Sequence, residues 1–158
     1  MSLCFFDTCA LQHKYVPGPH SRRIRTLIGR TANSCYISEW SVIEMASALS
    51  NRCRQGGLPN SAYDSMNRRF LLDVAEGHLK VRPLNPPEME RARRLIRYAG
   101  VLGRLRISSG DALVATSCLD LALESRQKAI FFTSDQPLYN VLVKVDAFAK
   151  ALRIQLVL

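Results

Sequence analysis

The chain has 158 residues, 47% hydrophobic and 22% charged, and its basic residues exceed its acids to give a formal charge of +9. That length suits a single domain spanning 1–158 with a real core, and the balance is that of a globular protein, not a disordered one. No apolar run reaches the roughly 20 residues that a membrane helix needs. "MSLCFFD" lacks a basic segment and meets an acid within seven residues, so it does not read as a secretion signal. The five cysteines are scattered without a CxxC pair, which leaves zinc unsupported and points to reduced thiols in a cytoplasm.

In chain order, "LCFF" (3–6) predicts a buried strand, followed by a helix near 20–31. "SCYIS" (34–38) is a second strand, and helices are expected near 39–55 and 60–76. "LKVRPL" (79–84) is a third strand, with a helix near 87–100. The stretch "ISSGDALVATSCLDLALES" opens with Ser108 three residues before Asp111, a variant capping box, and predicts a helix over 109–125. "AIFFT" (129–133), a helix near 137–151 and "RIQLVL" (153–158) complete the chain. Strands separated by helices imply crossover connections. The expected fold class is α/β, a three-layer α/β/α sandwich around a mainly parallel sheet of about five strands.

The positive charge is mostly arginine, clustered in "SRRIRTLIGR", "NRCR", "NRRF" and "ERARRLIRYAGVLGRLR". Arginine suits bidentate contact with phosphate, so a polyanion or an acidic protein is the expected kind of partner. Taken singly, each cluster is better read as a solvated helix face. In the last, Met89, Ala92, Ile96 and Ala99 form an apolar stripe and the arginines line the other side.

Four acids fall at comparable places. Asp7 follows the first strand, Glu44 lies on the first turns of the next helix, Asp111 opens a later helix, and Asp135 follows "AIFFT". Open parallel sheets bind ligands outside the carboxyl ends of their strands, so all four are expected near one edge. Each alone could cap a helix or shape a turn. Together they repel, and a hard cation such as Mg2+ or Mn2+ would offset that repulsion. His13, His20 and His78 show no pairing with a nucleophile, and no G-x-S-x-G, P-loop or G-x-G-x-x-G signature is present.

"FFDTCAL", "SEWSVIEMASAL", "GDALVATSCLDLA" and "FFTSDQPLYNVL" stand in the order and spacing of PIN-domain nucleases. The chain resembles most the VapC-type toxins of toxin–antitoxin pairs. The resemblance implies a PIN-like fold and a Mg2+- or Mn2+-dependent ribonuclease that leaves 5′-phosphate and 3′-hydroxyl ends. It maps the metal-binding and catalytic acids onto Asp7, Glu44, Asp111 and Asp135, with Thr133 as the hydroxyl neighbour of the last. It further implies an RNA substrate, an antitoxin partner and a homodimer. Many members carry another acid two residues after the last Asp, where this chain has Pro137. Arg104 and Arg106 are candidates to meet RNA phosphates or antitoxin carboxylates, although exposed loop arginines are the simpler reading of both. Two alternatives remain: a binding-only domain for RNA or an acidic protein, and a receiver-like phospho-acceptor, which would want a Lys where this chain has "TSD".

Overall fold

The computed structural model describes residues 2–103 and 105–157. Five parallel strands form one sheet: β1 (Ser2–Phe6), β2 (Asn33–Ser38), β3 (Lys80–Arg82), β4 (Ala129–Thr133) and β5 (Leu152–Leu156), in the order β3-β2-β1-β4-β5. β1 is central, aligning Cys4 with Cys35 of β2 on one side and with Ile130 of β4 on the other. The strand order reverses at β1, so the crevice beside its carboxyl end is the topological switch point where such sheets bind ligands. A receiver-like fold has order 2-1-3-4-5, so the topology removes that alternative.

Alternation along β1 divides the core. Leu3 and Phe5 face one cluster with Phe131, and Cys4 and Phe6 face the other with Phe132. The first cluster is roofed by α5 (Pro86–Arg97), α6 (Ser109–Ser125), α7 (Gln136–Leu142) and α8 (Asp146–Ala151). The second is roofed by α1 (Thr8–Leu11), α2 (Ser21–Gly29), α3 (Glu39–Arg54) and α4 (Ser61–Ala75). Both faces are covered, which is why β1 and β4 are continuous apolar runs. Among the described residues no helix is long and apolar enough to cross a membrane.

The long helices follow their sequence signals. Asn85 opens α5 with a complete capping box through Glu88, and Ser108 opens α6 with one through Asp111. α6 is buried almost all round from Gly110 to Ala122 because it is wedged between the sheet and α5, and only at Leu123 does it emerge into solvent. The expected stripe on α5 needs one correction. Ala92, Leu95 and Ala99 face the core, whereas Met89 is exposed. The helix expected near 137–151 is two helices, broken where Val145 adopts an extended conformation. The turn α1 has no counterpart in the sequence reading, since four residues are too few to show a period.

Candidate active site

Asp7 is the residue that leaves β1. Its amide donates to the carbonyl of Phe132 at 2.9 Å, so the last sheet contact between β1 and β4 fixes where the side chain begins. The carboxylate is 3% exposed. Two donors share its Oδ2: the Thr133 hydroxyl at 2.8 Å and the Cys9 thiol at 2.7 Å. Thr133, fully buried, in turn accepts the Asp135 amide at 3.0 Å, and the Cys9 sulfur accepts the Ser134 amide at 3.1 Å. Residues at the carboxyl ends of neighbouring strands are therefore stitched together around one oxygen of Asp7.

Glu44 comes from the second turn of α3, and its Oε2 accepts the Thr8 hydroxyl at 2.8 Å. Its other oxygen rests against Gly110 at the start of α6. A Cβ added there would collide with Glu44 Oε1 and would lie 2.7 Å from the Trp40 indole nitrogen. A side chain there would displace the Glu44 carboxylate and the Trp40 ring, so glycine is favoured by close packing, not by backbone conformation. The Trp40 N–H is buried and has no hydrogen-bond partner among the described residues.

Asp111 performs the capping expected of it: Oδ2 accepts the Ser108 hydroxyl at 2.6 Å and the Ser108 amide at 3.3 Å. Asp135 caps α7, with Oδ1 accepting the Leu138 amide at 2.7 Å. One pattern runs through the four acids. Each commits one oxygen to a protein donor, and the other oxygen has no hydrogen bond among the described residues.

The electrostatics single out Asp7. Burial pushes its carboxyl up to about 6, the hydrogen bonds from Cys9 and Thr133 oppose that rise, and the negative charges of Asp111 and Glu44 add to it. Burial, then the charge of Asp7, holds the Cys9 thiol protonated well above its usual range, so it serves as a donor, not a nucleophile. The oxygen donors suit a hard divalent cation, and anchoring one oxygen of a carboxylate while leaving its mate open is how ligand acids are oriented. The acids do not close into a shell, however. No group of three or more His, Cys, Asp or Glu at metal-holding spacing exists among the described residues.

The sequence reading did not anticipate the Cys9, Thr8 and Gly110 contributions. Cys9 lies two residues after the first acid, on the turn α1, where its thiol can reach back to Asp7. Glu39, Asp120 and Asp146 lie outside the cluster: Glu39 accepts the Leu84 amide at 3.1 Å, Asp120 pairs with Arg91, and Asp146 is exposed. Arg106 is exposed, and Arg104 lies outside the described residues.

The five-stranded parallel sheet with its flanking helices is a PIN-like α/β fold. Nearly the whole chain is structurally similar to the VapBC2 and FitAcB toxin–antitoxin complexes, that is, to PIN/VapC toxins. The match to VapBC2 from Rickettsia felis, solved bound to a DNA fragment from their promoter, covers 97% of each chain at 15% identity, with a TM-score of 0.61. The match to FitAcB from Neisseria gonorrhoeae covers 87% of this chain and 91% of that one at 17% identity, with a TM-score of 0.61. At these identities the likeness is one of fold. No family model and no curated protein matches the sequence.

Proposed function

We propose that the chain is a metal-dependent endoribonuclease of the PIN type and the toxin half of a type II toxin–antitoxin pair. The observation that carries this reading is the state of Asp7. It is buried at the switch point, given only neutral donors on one oxygen, and faced by two further acids with no basic partner among the described residues. A buried acid so placed is the kind of group that functional sites hold for a cation or substrate.

Asp7 and Asp111 would hold a magnesium or manganese ion, with Glu44 and Asp135 completing the acidic ring. Bound there, the ion would supply Lewis-acid stabilisation of charge on a phosphodiester and acidify a water. The protein's own part is orientation. Thr133 and Cys9 fix the Asp7 carboxylate, Thr8 and Gly110 fix Glu44, and the Ser108 box fixes Asp111. Dense arginine elsewhere on the surface favours a polyanionic substrate and predicts binding that weakens steeply with salt. An antitoxin that offers its own charged segment to this edge, a homodimeric assembly and action in the cytoplasm follow from the same reading.

The test is cleavage of single-stranded RNA by antitoxin-free protein with Mg2+ or Mn2+, with and without chelator. Asp7→Asn should lower the rate more than about a hundredfold, beyond what loss of an orienting partner costs. Full activity in Asp7→Asn, or products that persist in chelator, would remove the nuclease reading. RNA bound but never cut would favour the binding-only alternative.

A further inference from the structure

A second charged feature lies at the other end of the sheet. A cavity of about 360 Å3 is lined by Lys14, Arg25, Arg30 and Lys80, with His78 and a single acid, Asp73. An adjoining cavity of about 340 Å3 shares Lys14, Arg25 and Asp73 and adds Arg69 and Glu76, so the two form one trough between α2 and α4. Lys80 opens β3 and Arg30 precedes β2, whereas Asp7 and Thr133 stand at the carboxyl ends of their strands. The trough is therefore separate from the acidic pocket.

The negative charge of Asp73 is already met within the trough. Asp73 Oδ2 binds the Lys14 ammonium and the Tyr15 hydroxyl, each at 2.6 Å, and Oδ1 lies 3.3 Å from the His78 ring. Glu76 sits 3.5 Å from the same ring. The other cations are left over. Among the described residues Arg25, Arg30, Arg69 and Lys80 form no ion pair; Arg25 Nε donates to the Ser21 carbonyl, and Lys80 approaches the Ser34 hydroxyl at 3.5 Å and lies over the Tyr36 ring. All four are exposed. A helix dipole accounts for a cation beside the last turn of α2, but not for Lys80 at a strand start or Arg25 in mid-helix.

We infer that this trough is a second nucleic-acid site, one that holds the backbone phosphates of a single strand. Its free groups are mainly guanidinium forks, which match phosphate oxygens in pairs. The first cavity has no Phe, Tyr or Trp in its lining, and the second has only Tyr15, which is buried with its ring edge-on to Phe70, so neither offers an exposed aromatic ring for stacking bases. Contacts of this kind position a strand without reading its sequence. The charge argument does not depend on cleavage chemistry at the acidic pocket.

The experiment is anisotropy of a labelled 12-nucleotide single-stranded RNA in chelator, where metal-dependent cutting is silent. The variant R25Q/R30Q/K80Q is compared with R93Q/R94Q/R97Q, which removes equal charge from the exposed face of α5. The trough variant should bind at least tenfold more weakly, and its salt slope should fall by about 0.7 for each phosphate it no longer neutralises. The α5 variant should bind no more than about threefold more weakly, as general field reduction requires. Equal weakening in the two would show that the RNA senses net charge alone and would overturn the site. R25K/R30K keeps the charge but loses the paired donors, so it should bind more weakly than the parent and clearly more tightly than the Gln variant. A weakening as large as that of the Gln variant would assign the effect to packing and overturn the site too. Displacement of RNA by millimolar inorganic phosphate, or by polyglutamate as readily as by unlabelled RNA, would overturn the nucleic-acid assignment. Failure here leaves the nuclease reading standing, since that rests on Asp7 and cleavage.

Discussion

Two sets of buried acids stand on opposite terms with their surroundings. On the α5–α6 side, Glu88 is fully buried and Asp120 nearly so, and each has an arginine. Arg82 Nε meets Glu88 at 3.0 Å while its terminal nitrogens grip Glu124 at 2.6 and 2.8 Å, and Arg91 pairs with Asp120. Burial still pushes Glu88 up, with Arg82 acting against it. At the switch point Asp7 receives a hydroxyl, a thiol and two like charges. A buried acid answered by a guanidinium belongs to the packing, whereas one answered only by neutral donors and other acids is held ready for something else.

The largest effect that can break this contrast is the double consequence of Asp7→Asn. Cleavage should collapse while the metal-free protein becomes more stable. The sign follows from linkage: with its folded pKa raised to about 6, Asp7 favours the fold while protonated and loses that contribution as pH climbs from about 4 through 6. Above pH 6 the ionised group destabilises by up to about 3 kcal/mol, at 1.36 kcal/mol per pH unit. Melting in chelator at pH 5 and pH 8 should show the parent losing stability and Asp7→Asn losing much less. A parallel pH response in the two proteins would remove Asp7 from its assigned state.

Glu88→Ala should do the reverse, costing about 2–4 kcal/mol by stranding part of Arg82 and opening the α5 capping box. Its cleavage rate per folded molecule should hold, as read from activity well below the melting temperature. A smaller effect is expected from Gly110→Ala, about 1–3 kcal/mol of overpacking. Because the new methyl displaces Glu44 and Trp40, metal-dependent cleavage should fall by about tenfold. The smallest is Cys9→Ser, which keeps a donor beside Asp7: stability within about 1 kcal/mol and activity within a few-fold. If Cys9→Ser and Cys9→Ala behave alike, the thiol does not orient Asp7.

The contrast also shows what a sequence can display. The strands and long helices were legible because apolar runs and capping residues are local signals, and α6 begins and ends where its sequence indicates. The break between α7 and α8 was not, since it carries no Gly or Pro and falls among Val143, Lys144 and Val145. The four acids stand out in the sequence by their places after strands and on the first turns of helices. Their arrangement does not, because it depends on which oxygen Thr8, Cys9, Thr133 and Ser108 occupy. Gly110 looked like part of a helix start, and only packing reveals that a larger residue there would press on Glu44 and Trp40. Asp120 could be set aside by its spacing, well over two turns beyond Asp111, whereas its pairing with Arg91 and that of Glu88 with Arg82 are visible only in the structure.

The strand order also has a consequence in time. β1 is made early, yet its neighbour β4 comes late, and the hydroxyl that anchors Asp7 is 126 residues further along. A growing polypeptide that ends before Ala129 has β1 with an open edge and no Thr133 to seat the carboxylate. The pocket is thus assembled last, as a product of finishing the sheet. A ribosome making this protein would hold an intermediate without this pocket for most of the synthesis.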